Sequence, residues 1–138
     1  SESYRSKDEY PYDGFAGSRN TSTAIYFLLE KDEFSAFHRI KSDELWHFYL
    51  GSPLEVIEIM PSGEVIKTIV GQGFNEHQKL QYCVKAGHWF ASRSLGSYSF
   101  VGCTVAPGFD FRDFELANYT ELSEEFPMHK DLIKELTT

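Results

Sequence analysis

The sequence predicts an all-β protein, an antiparallel sandwich or barrel followed by two short helices. Three observations predict this. Short segments rich in β-branched and aromatic residues recur up to about residue 117, Gly and Pro turn signals separate them, and no helical pattern lies between them. Residues 118–138 instead change to helical spacing. Because no linker or internal repeat interrupts residues 1–138, we expect a single domain.

The strands are predicted in order from the turn signals that bound them. The segment STAIYFLLE (22–30) is followed by a turn at 31–36 and a strand at 37–40. ELWHFYL (44–50) ends at Gly-Ser-Pro, and the tight turn at 61–64 joins LEVIEIM and VIKTIV into a hairpin. The remaining predicted strands are 79–84, 89–92, 97–105 and 111–117.

The tail is predicted to form two helices, one in each of the segments NYTELSEEF and PMHKDLIKEL. Thr120 and Ser123 are the candidate N-caps, because their hydroxyl groups can accept a hydrogen bond from the first helical turn. Five apolar residues recur at helical spacing and predict the buried side of the helices: Leu122, Phe126, Leu132, Ile133 and Leu136.

Composition excludes several classes of partner. Lys and Arg total 13 against 21 Asp and Glu, and the net charge of -8 argues against nucleic acid. No apolar run reaches the roughly 18 residues that span a bilayer, and no basic-then-apolar leader follows Ser1, so we expect a soluble protein with no membrane partner. Cys83 and Cys103 lie in apolar runs without a CxxC motif. They predict two buried free thiols and a cytoplasmic location.

Several predicted strands are apolar on both faces, as in IYFLL, LWHFYL and YSFVG. A strand that is covered on both sides in a chain of this size needs a second layer, either the other sheet or a partner subunit. The pattern therefore predicts a homodimer.

The stretch FHRIKSDELWHFYLG (37–51) carries polar residues on segments that are predicted to be buried. His38 and Glu44 either satisfy each other in an ordinary core or line a pocket, and the cost of burying a carboxylate favours the pocket. His47 is three residues after Glu44, so strand alternation directs it to the opposite face. The other histidines are expected in solvated, capping or structural roles: His77, His88 and His129.

The spacing of this stretch resembles the first cupin motif, with His38 six residues before Glu44 and Gly51 following. The blocks FHRIKSDELWHFYLGSPLEV, GCTVAPGFDFRDFELA and AGHWFAS are similar to the cupin-5 group, small cupins once labelled a domain of unknown function and related to nucleotide-sugar epimerase-type cupins. The resemblance extends to about Ala117 and implies a cupin-type antiparallel β-barrel, or jelly roll. The short helix and PEGGYY element with which the group usually begins are not found here.

The resemblance also predicts that no metal or other cofactor is needed. The second histidine of the general cupin motif falls at Ile40, and the later histidine falls at Phe90. Neither side chain can coordinate a cation, so at most His38 and Glu44 remain of the four usual ligands.

Three functions fit these residues. In the first, His38 and Glu44 are catalytic and carry out metal-independent epimerase or isomerase chemistry, with Glu44 orienting His38. In the second, the protein binds a small polar, carbohydrate-like ligand without turnover. In the third, a metal is held by His38, Glu44 and His47. The predicted ligand-binding residues, several of them implied by the resemblance, are Arg5, Trp46, Phe48, His47, Phe90 and Tyr98.

Overall fold

The computed structural model describes all 138 residues, in which twelve strands precede two short helices. The strands are β1 (Glu2–Arg5), β2 (Glu9–Tyr10), β3 (Arg19–Asn20), β4 (Thr23–Glu30), β5 (Phe34–Arg39), β6 (Asp43–Gly51), β7 (Leu54–Ile59), β8 (Val65–Val70), β9 (Gln81–Val84), β10 (Trp89–Ser94), β11 (Tyr98–Ala106) and β12 (Glu115–Leu116). The helices are α1 (Tyr119–Glu125) and α2 (Lys130–Glu135). The predicted all-β fold with helices after residue 118 is confirmed.

The strands form two five-stranded sheets that enclose the interior of the barrel. The first sheet has the order β1-β4-β11-β6-β9 and the second the order β12-β5-β10-β7-β8, while β2 and β3 form a separate ribbon. Neighbouring strands within each sheet are antiparallel. The two sheets contribute inward side chains to one apolar core, which is the arrangement of a jelly roll.

Strand β6 determines which of its side chains reach this interior. Glu44, Trp46 and Phe48 alternate along the strand and are buried, whereas His47 is half-buried and Tyr49 is exposed. Since successive side chains of a strand point to opposite faces, the first three enter the barrel and the other two lie on the outer face of the first sheet.

The tail packs on the outer face of the second sheet. Ile57 and Ile59 of β7 are completely buried there, together with Leu122 of α1 and Ile133 of α2. This apolar contact stabilises helices that are too short to persist alone. Neither helix is long and apolar enough to cross a lipid bilayer.

The start of α1 differs from the prediction. Asn118, and not Thr120 or Ser123, is the N-cap, and its side-chain oxygen accepts a hydrogen bond from the Glu121 amide at 3.1 Å. Ser123 is buried inside the helix. The helix therefore begins before either predicted cap, because asparagine also satisfies a free amide of the first turn.

Two other element boundaries were predicted wrongly. The turn predicted at 31–36 is shorter, since β5 already begins at Phe34. The strand predicted at 111–117 is mainly a 3₁₀ turn at Phe111–Asp113, followed by the two-residue β12. The Asp110 carboxylate accepts a hydrogen bond from the Arg112 amide at 2.8 Å, which caps this turn.

A polar cluster made of Glu58, Tyr82 and His88 links the two sheets. Glu58 on β7 is 1% exposed and points into the barrel. The Tyr82 hydroxyl of β9 donates to its carboxylate, and His88 Nδ1 donates to it at 3.0 Å. His88 was expected to be solvated or capping, but it is half-buried in this pair. The cluster connects β7 of one sheet with β9 of the other.

We expect Tyr82→Phe to lower the free energy of unfolding by about 1–3 kcal/mol, because Glu58 would lose a donor in a position that water reaches poorly. Denaturant unfolding measures the change. Tyr10→Phe is the matched control, since Tyr10 is exposed and its hydroxyl makes no hydrogen bond within the protein. Equal, negligible effects of the two substitutions would contradict this role of the cluster.

The outer face of the first sheet carries an uncovered apolar patch, made of Tyr26, Leu28, Tyr49 and Phe100. Tyr26 stacks on Phe100 with ring centroids 5.5 Å apart, and Tyr49 lies against both rings. Tyr26, Leu28 and Tyr49 each remain close to half exposed. This patch lies on the central strands of the sheet, the same strands whose two-sided apolar pattern predicts a dimer.

We propose that a second copy of the chain covers this patch. Light scattering at micromolar concentration should then give about twice the 15.9 kDa chain mass. Tyr26→Glu should give a monomer, because two buried like charges would oppose association across a two-fold axis. Tyr10→Glu, at an exposed tyrosine of the β2–β3 ribbon, should remain dimeric. A monomeric wild type, or a dimeric Tyr26→Glu variant, would refute this interface.

Candidate functional site

The interior of the barrel contains a cavity of about 180 Å³ between the two sheets. Its polar lining consists of Thr23, His38 and Glu44. The rest of the wall is apolar: Ile25, Ile40, Cys103, Val105, Phe109 and Phe114. A smaller space of about 80 Å³ adjoins it and shares His38 and Glu44 with it. Both predicted catalytic residues therefore face the same cavity.

Glu44 is buried in this cavity without a partner. Glu44 as a whole is 9% exposed, and its carboxyl group makes no hydrogen bond to any protein group. Burial disfavours the charged form of a carboxyl group and raises the pKa of Glu44 to about 7. Near neutral pH, the side chain is therefore present in both its protonated and its ionised form.

His38 is held in one orientation by its own strand. Its Nδ1 lies 2.8 Å from the Ala36 carbonyl oxygen, and because a carbonyl only accepts, Nδ1 carries the proton. Nε2 is then the nitrogen that remains for a ligand. Burial lowers the pKa of His38 below its usual value, and the bond to the Ala36 carbonyl opposes this only in part. The Phe90 ring lies against the imidazole, with centroids 4.2 Å apart.

His38 and Glu44 make no hydrogen bond with each other. The expectation that Glu44 orients His38 is therefore wrong, since the Ala36 carbonyl takes that role. The alternative in which the two residues only satisfy each other in the core is also wrong. Each instead presents an unpartnered polar group to the same cavity.

Three of the predicted ligand-binding residues are on the inside of the barrel. Trp46 lines the smaller adjoining space. Phe90 is completely buried and contacts His38, although it is not part of the cavity wall. Phe48 has the predicted inward direction, but it packs in the apolar core away from the cavity.

His47 and Tyr98 do not reach the cavity. The ring of His47 lies on the outer face of the first sheet, with Nε2 3.0 Å from Thr104 Oγ1 and Nδ1 3.3 Å from Gln81 Nε2. Strand alternation places it there, as the spacing from Glu44 predicts. Tyr98 is exposed at the first residue of β11, beside the β6 end of the sheet. Neither residue can contact a ligand inside the barrel.

Arg5 lies near the cavity but is already engaged. Its guanidinium donates to Glu2 and to Asn20 Oδ1, each at 2.7 Å, and to the Phe109 carbonyl oxygen at 3.1 Å. It therefore holds the segment that carries Phe109, which forms part of the cavity wall. Arg5 positions this wall and does not line the cavity.

Four residues of the wall were not predicted from the sequence: Phe109, Phe114, Thr23 and Cys103. Phe114 lies in the segment 111–117 that was predicted to be a strand, and Phe109 precedes that segment. The Phe109 amide donates to Thr23 Oγ1 at 2.9 Å, a contact across 86 residues that local patterns do not reveal. Cys103 could have been found, because it alternates with the buried Val101 and Val105 on β11.

The residues of the cavity do not fit a metal centre. Ile40 lines the cavity and Phe90 lies beside His38, and neither side chain offers a lone pair to a cation. His47, the third ligand of the metal hypothesis, lies on the opposite face of β6. No group of three or more His, Cys, Asp or Glu side chains is arranged to hold an ion. The metal site of His38, Glu44 and His47 is therefore not assembled.

Comparison with known families agrees with this fold. The sequence profile of the Cupin superfamily (DUF985) matches residues 1–117. The chain belongs to this family. The match covers all of the strands, while α1 and α2 lie beyond it.

Two solved structures and one yeast protein are similar to this cupin. A hypothetical protein from Leishmania major is 32% identical and superposes with a TM-score of 0.92 over 99% of this chain and 87% of its own. Protein SO0799 from Shewanella oneidensis is 37% identical, with a TM-score of 0.90 over 100% and 85%. The uncharacterized protein YML079W of Saccharomyces cerevisiae is 30% identical over an alignment of 121 residues, and the match covers 80% of this chain but 60% of the yeast protein.

A more distant likeness extends to an enzyme. A dTDP sugar isomerase from Desulfovibrio desulfuricans superposes with a TM-score of 0.64 over 87% of this cupin and 84% of the enzyme. The identity is 11%, so the likeness shows the shared fold alone.

The burial of Glu44 predicts a specific pH dependence of stability. Between pH 4.5, its ordinary pKa, and about 7, the native carboxyl keeps a proton that the unfolded chain has lost. The free energy of unfolding should therefore fall as pH rises through this window, by about 3 kcal/mol in total. Glu44→Gln removes this loss, so the variant should gain stability relative to wild type from pH 5 to 8. Denaturant unfolding across this range measures the difference.

The comparison with Glu64→Gln separates this effect from a general change of charge, because Glu64 is exposed. That control should not reproduce the gain of stability that Glu44→Gln shows from pH 5 to 8. A constant difference between Glu44→Gln and wild type would mean that the Glu44 carboxyl is not desolvated in the native state.

Proposed function

We propose that this cupin binds a small polar ligand inside the barrel and moves a proton on it, as an isomerase or epimerase does. His38 acts as the base through Nε2, and Glu44 acts as the acid. The observation that carries the proposal is that both side chains face one apolar cavity without pairing with each other.

The shifts in pKa support a division of roles between the two residues. Burial lowers the pKa of His38, so the imidazole is neutral and basic near pH 7. Burial raises the pKa of Glu44 to about 7, so a substantial fraction of the carboxyl groups still carries a proton to donate. General acid–base catalysis requires a pair of groups that titrate close to the operating pH and remain in opposite protonation states.

The free energy of folding also argues for a functional role. A buried polar group without a hydrogen bond costs on the order of 1–3 kcal/mol, and apolar side chains of similar size would not incur that cost. The Ala36 carbonyl compensates one nitrogen of His38, but nothing in the protein compensates Glu44. A ligand that supplies the missing partner accounts for the presence of both residues.

The resemblance to the dTDP sugar isomerase adds a reaction type and not a substrate. It indicates that an enzyme with this fold can act as an isomerase. The aromatic rings of Phe109 and Phe114 could hold a flat or ring-shaped ligand against the wall of this cavity.

The test is a thermal-shift screen of small polar compounds against wild type, His38→Leu and Glu44→Leu. A ligand that binds only the native state raises the melting temperature. Compounds that stabilise wild type should lose at least tenfold in affinity in both variants. The variants themselves should be about as stable as wild type, or more stable, because leucine suits an apolar wall.

Two control variants make the result specific. Glu64→Leu replaces an exposed carboxylate, and His47→Leu replaces the histidine outside the barrel, so both should bind like wild type. Unchanged binding in the His38 and Glu44 variants, together with a large loss of stability, would make the pair structural. Loss of binding in His47→Leu would revive a site on the outer face.

A further inference from the structure

The cavity contains no cation that could neutralise an anionic ligand. Two arginines that contact the 109–113 segment, next to the wall residue Phe109, are both committed elsewhere. Arg5 is held by Glu2, Asn20 and the Phe109 carbonyl on the outside of the wall. Arg19 forms a buried ion pair with Asp113, with its Nε 2.8 Å from the carboxylate. A phosphate or carboxylate group would therefore enter an apolar site without a countercharge, which is strongly unfavourable.

The size of the cavity sets a second limit. Its volume of about 180 Å³ is close to that of an engineered apolar cavity of about 150 Å³ that binds benzene. A single six-membered ring with one substituent fills such a space, whereas a sugar linked to a nucleoside diphosphate is several times larger. Size and charge together argue against a complete nucleotide sugar inside the cavity.

The hydrogen-bonding groups of the wall set the third limit. Thr23 Oγ1 already accepts a hydrogen bond from the Phe109 amide at 2.9 Å. His38 has used Nδ1 on the Ala36 carbonyl, so Nε2 offers a lone pair and no proton. Glu44 in its protonated form offers one O–H donor and has no acceptor in the protein. The other titratable side chains of the cavity wall are His38 on β5 and Cys103 on β11, and neither is a cation that would keep Glu44 ionised.

We propose that the cavity takes a small uncharged ketone or aldehyde with an apolar body, whose carbonyl oxygen accepts a hydrogen bond from Glu44 and whose α-carbon faces His38. This rests on the proposed function and names its substrate class. The rest of the ligand contacts the apolar wall around Phe109 and Phe114.

The proton transfer balances with these two residues alone. His38 Nε2 takes a proton from the α-carbon, and the electrons of that C–H bond form a carbon–carbon double bond. The carbonyl π electrons move to the oxygen, which takes the proton of the Glu44 carboxyl group. The products are an enol, a His38 imidazolium and a Glu44 carboxylate. The reverse steps return a proton to the α-carbon from solvent-exchanged His38.

Three probes of equal ring size test the charge preference: cyclohexanone, cyclohexylamine and cyclohexanecarboxylate. Chemical-shift titration at pH 6 should show cyclohexanone binding at least tenfold more tightly than the other two. Binding needs protonated Glu44, so the affinity of wild type should fall roughly tenfold per pH unit well above pH 7. Glu44→Gln should keep the affinity without this pH dependence, because its amide also donates.

Incorporation of deuterium provides the second readout. In deuterium oxide, wild type should exchange the α-hydrogens of cyclohexanone, and His38→Asn and Glu44→Gln should be at least tenfold slower. Tighter binding of cyclohexylamine, increasing with pH, would overturn the carbonyl assignment and leave the proposed site standing. Equal exchange in wild type and His38→Asn would also overturn it. Failure of all three probes to bind would overturn the carbonyl assignment, whereas the proposed function fails only if the screen of polar compounds also finds no ligand that depends on His38 and Glu44.

Discussion

Burial of the Glu44 carboxyl group in an apolar cavity is the constraint from which the properties of the site follow. The carboxyl group has no hydrogen bond within the protein, and the cavity around it has no cation. The low polarity of the wall therefore raises its pKa to about 7 and allows it to hold or release a proton at neutral pH. The same wall lowers the pKa of His38, so one environment shifts the acid and the base in opposite directions.

The fold could be predicted largely from local patterns, and the segment that was assigned to the wrong kind of element is fixed by a long-range contact. The strands with clear turn signals, such as β4 and β6, lie within a few residues of where the sequence predicts them. The segment 111–117 looked like a strand because phenylalanines recur in it. A long-range ion pair between Arg19 and Asp113, both buried, fixes this segment as a turn instead, and a contact across 94 residues leaves no local signal.

The two polar residues at the centre of the site, His38 and Glu44, were predicted from the sequence, whereas most of the cavity wall was not. Alternation along β6 is a regular property of the backbone, so it correctly sends Glu44 inward and His47 outward. The partner of His38 is a carbonyl of its own strand, which no side-chain pattern reveals. Glu58 could have been found by the same alternation, because it follows Leu54 and Val56 on the inner face of β7. Its hydrogen bond to Tyr82 could not, because Tyr82 belongs to the other sheet.

The most direct test of the account is a titration of the Glu44 carboxyl carbon by nuclear magnetic resonance, with Glu44→Gln identifying its signal. We expect a midpoint near pH 7 for Glu44. Replacement of His38 by leucine should shift this midpoint only slightly, because the two side chains do not pair. A midpoint near 4.5 would mean that the carboxyl group is solvated or has a partner. The acid–base account of the cavity would then be contradicted.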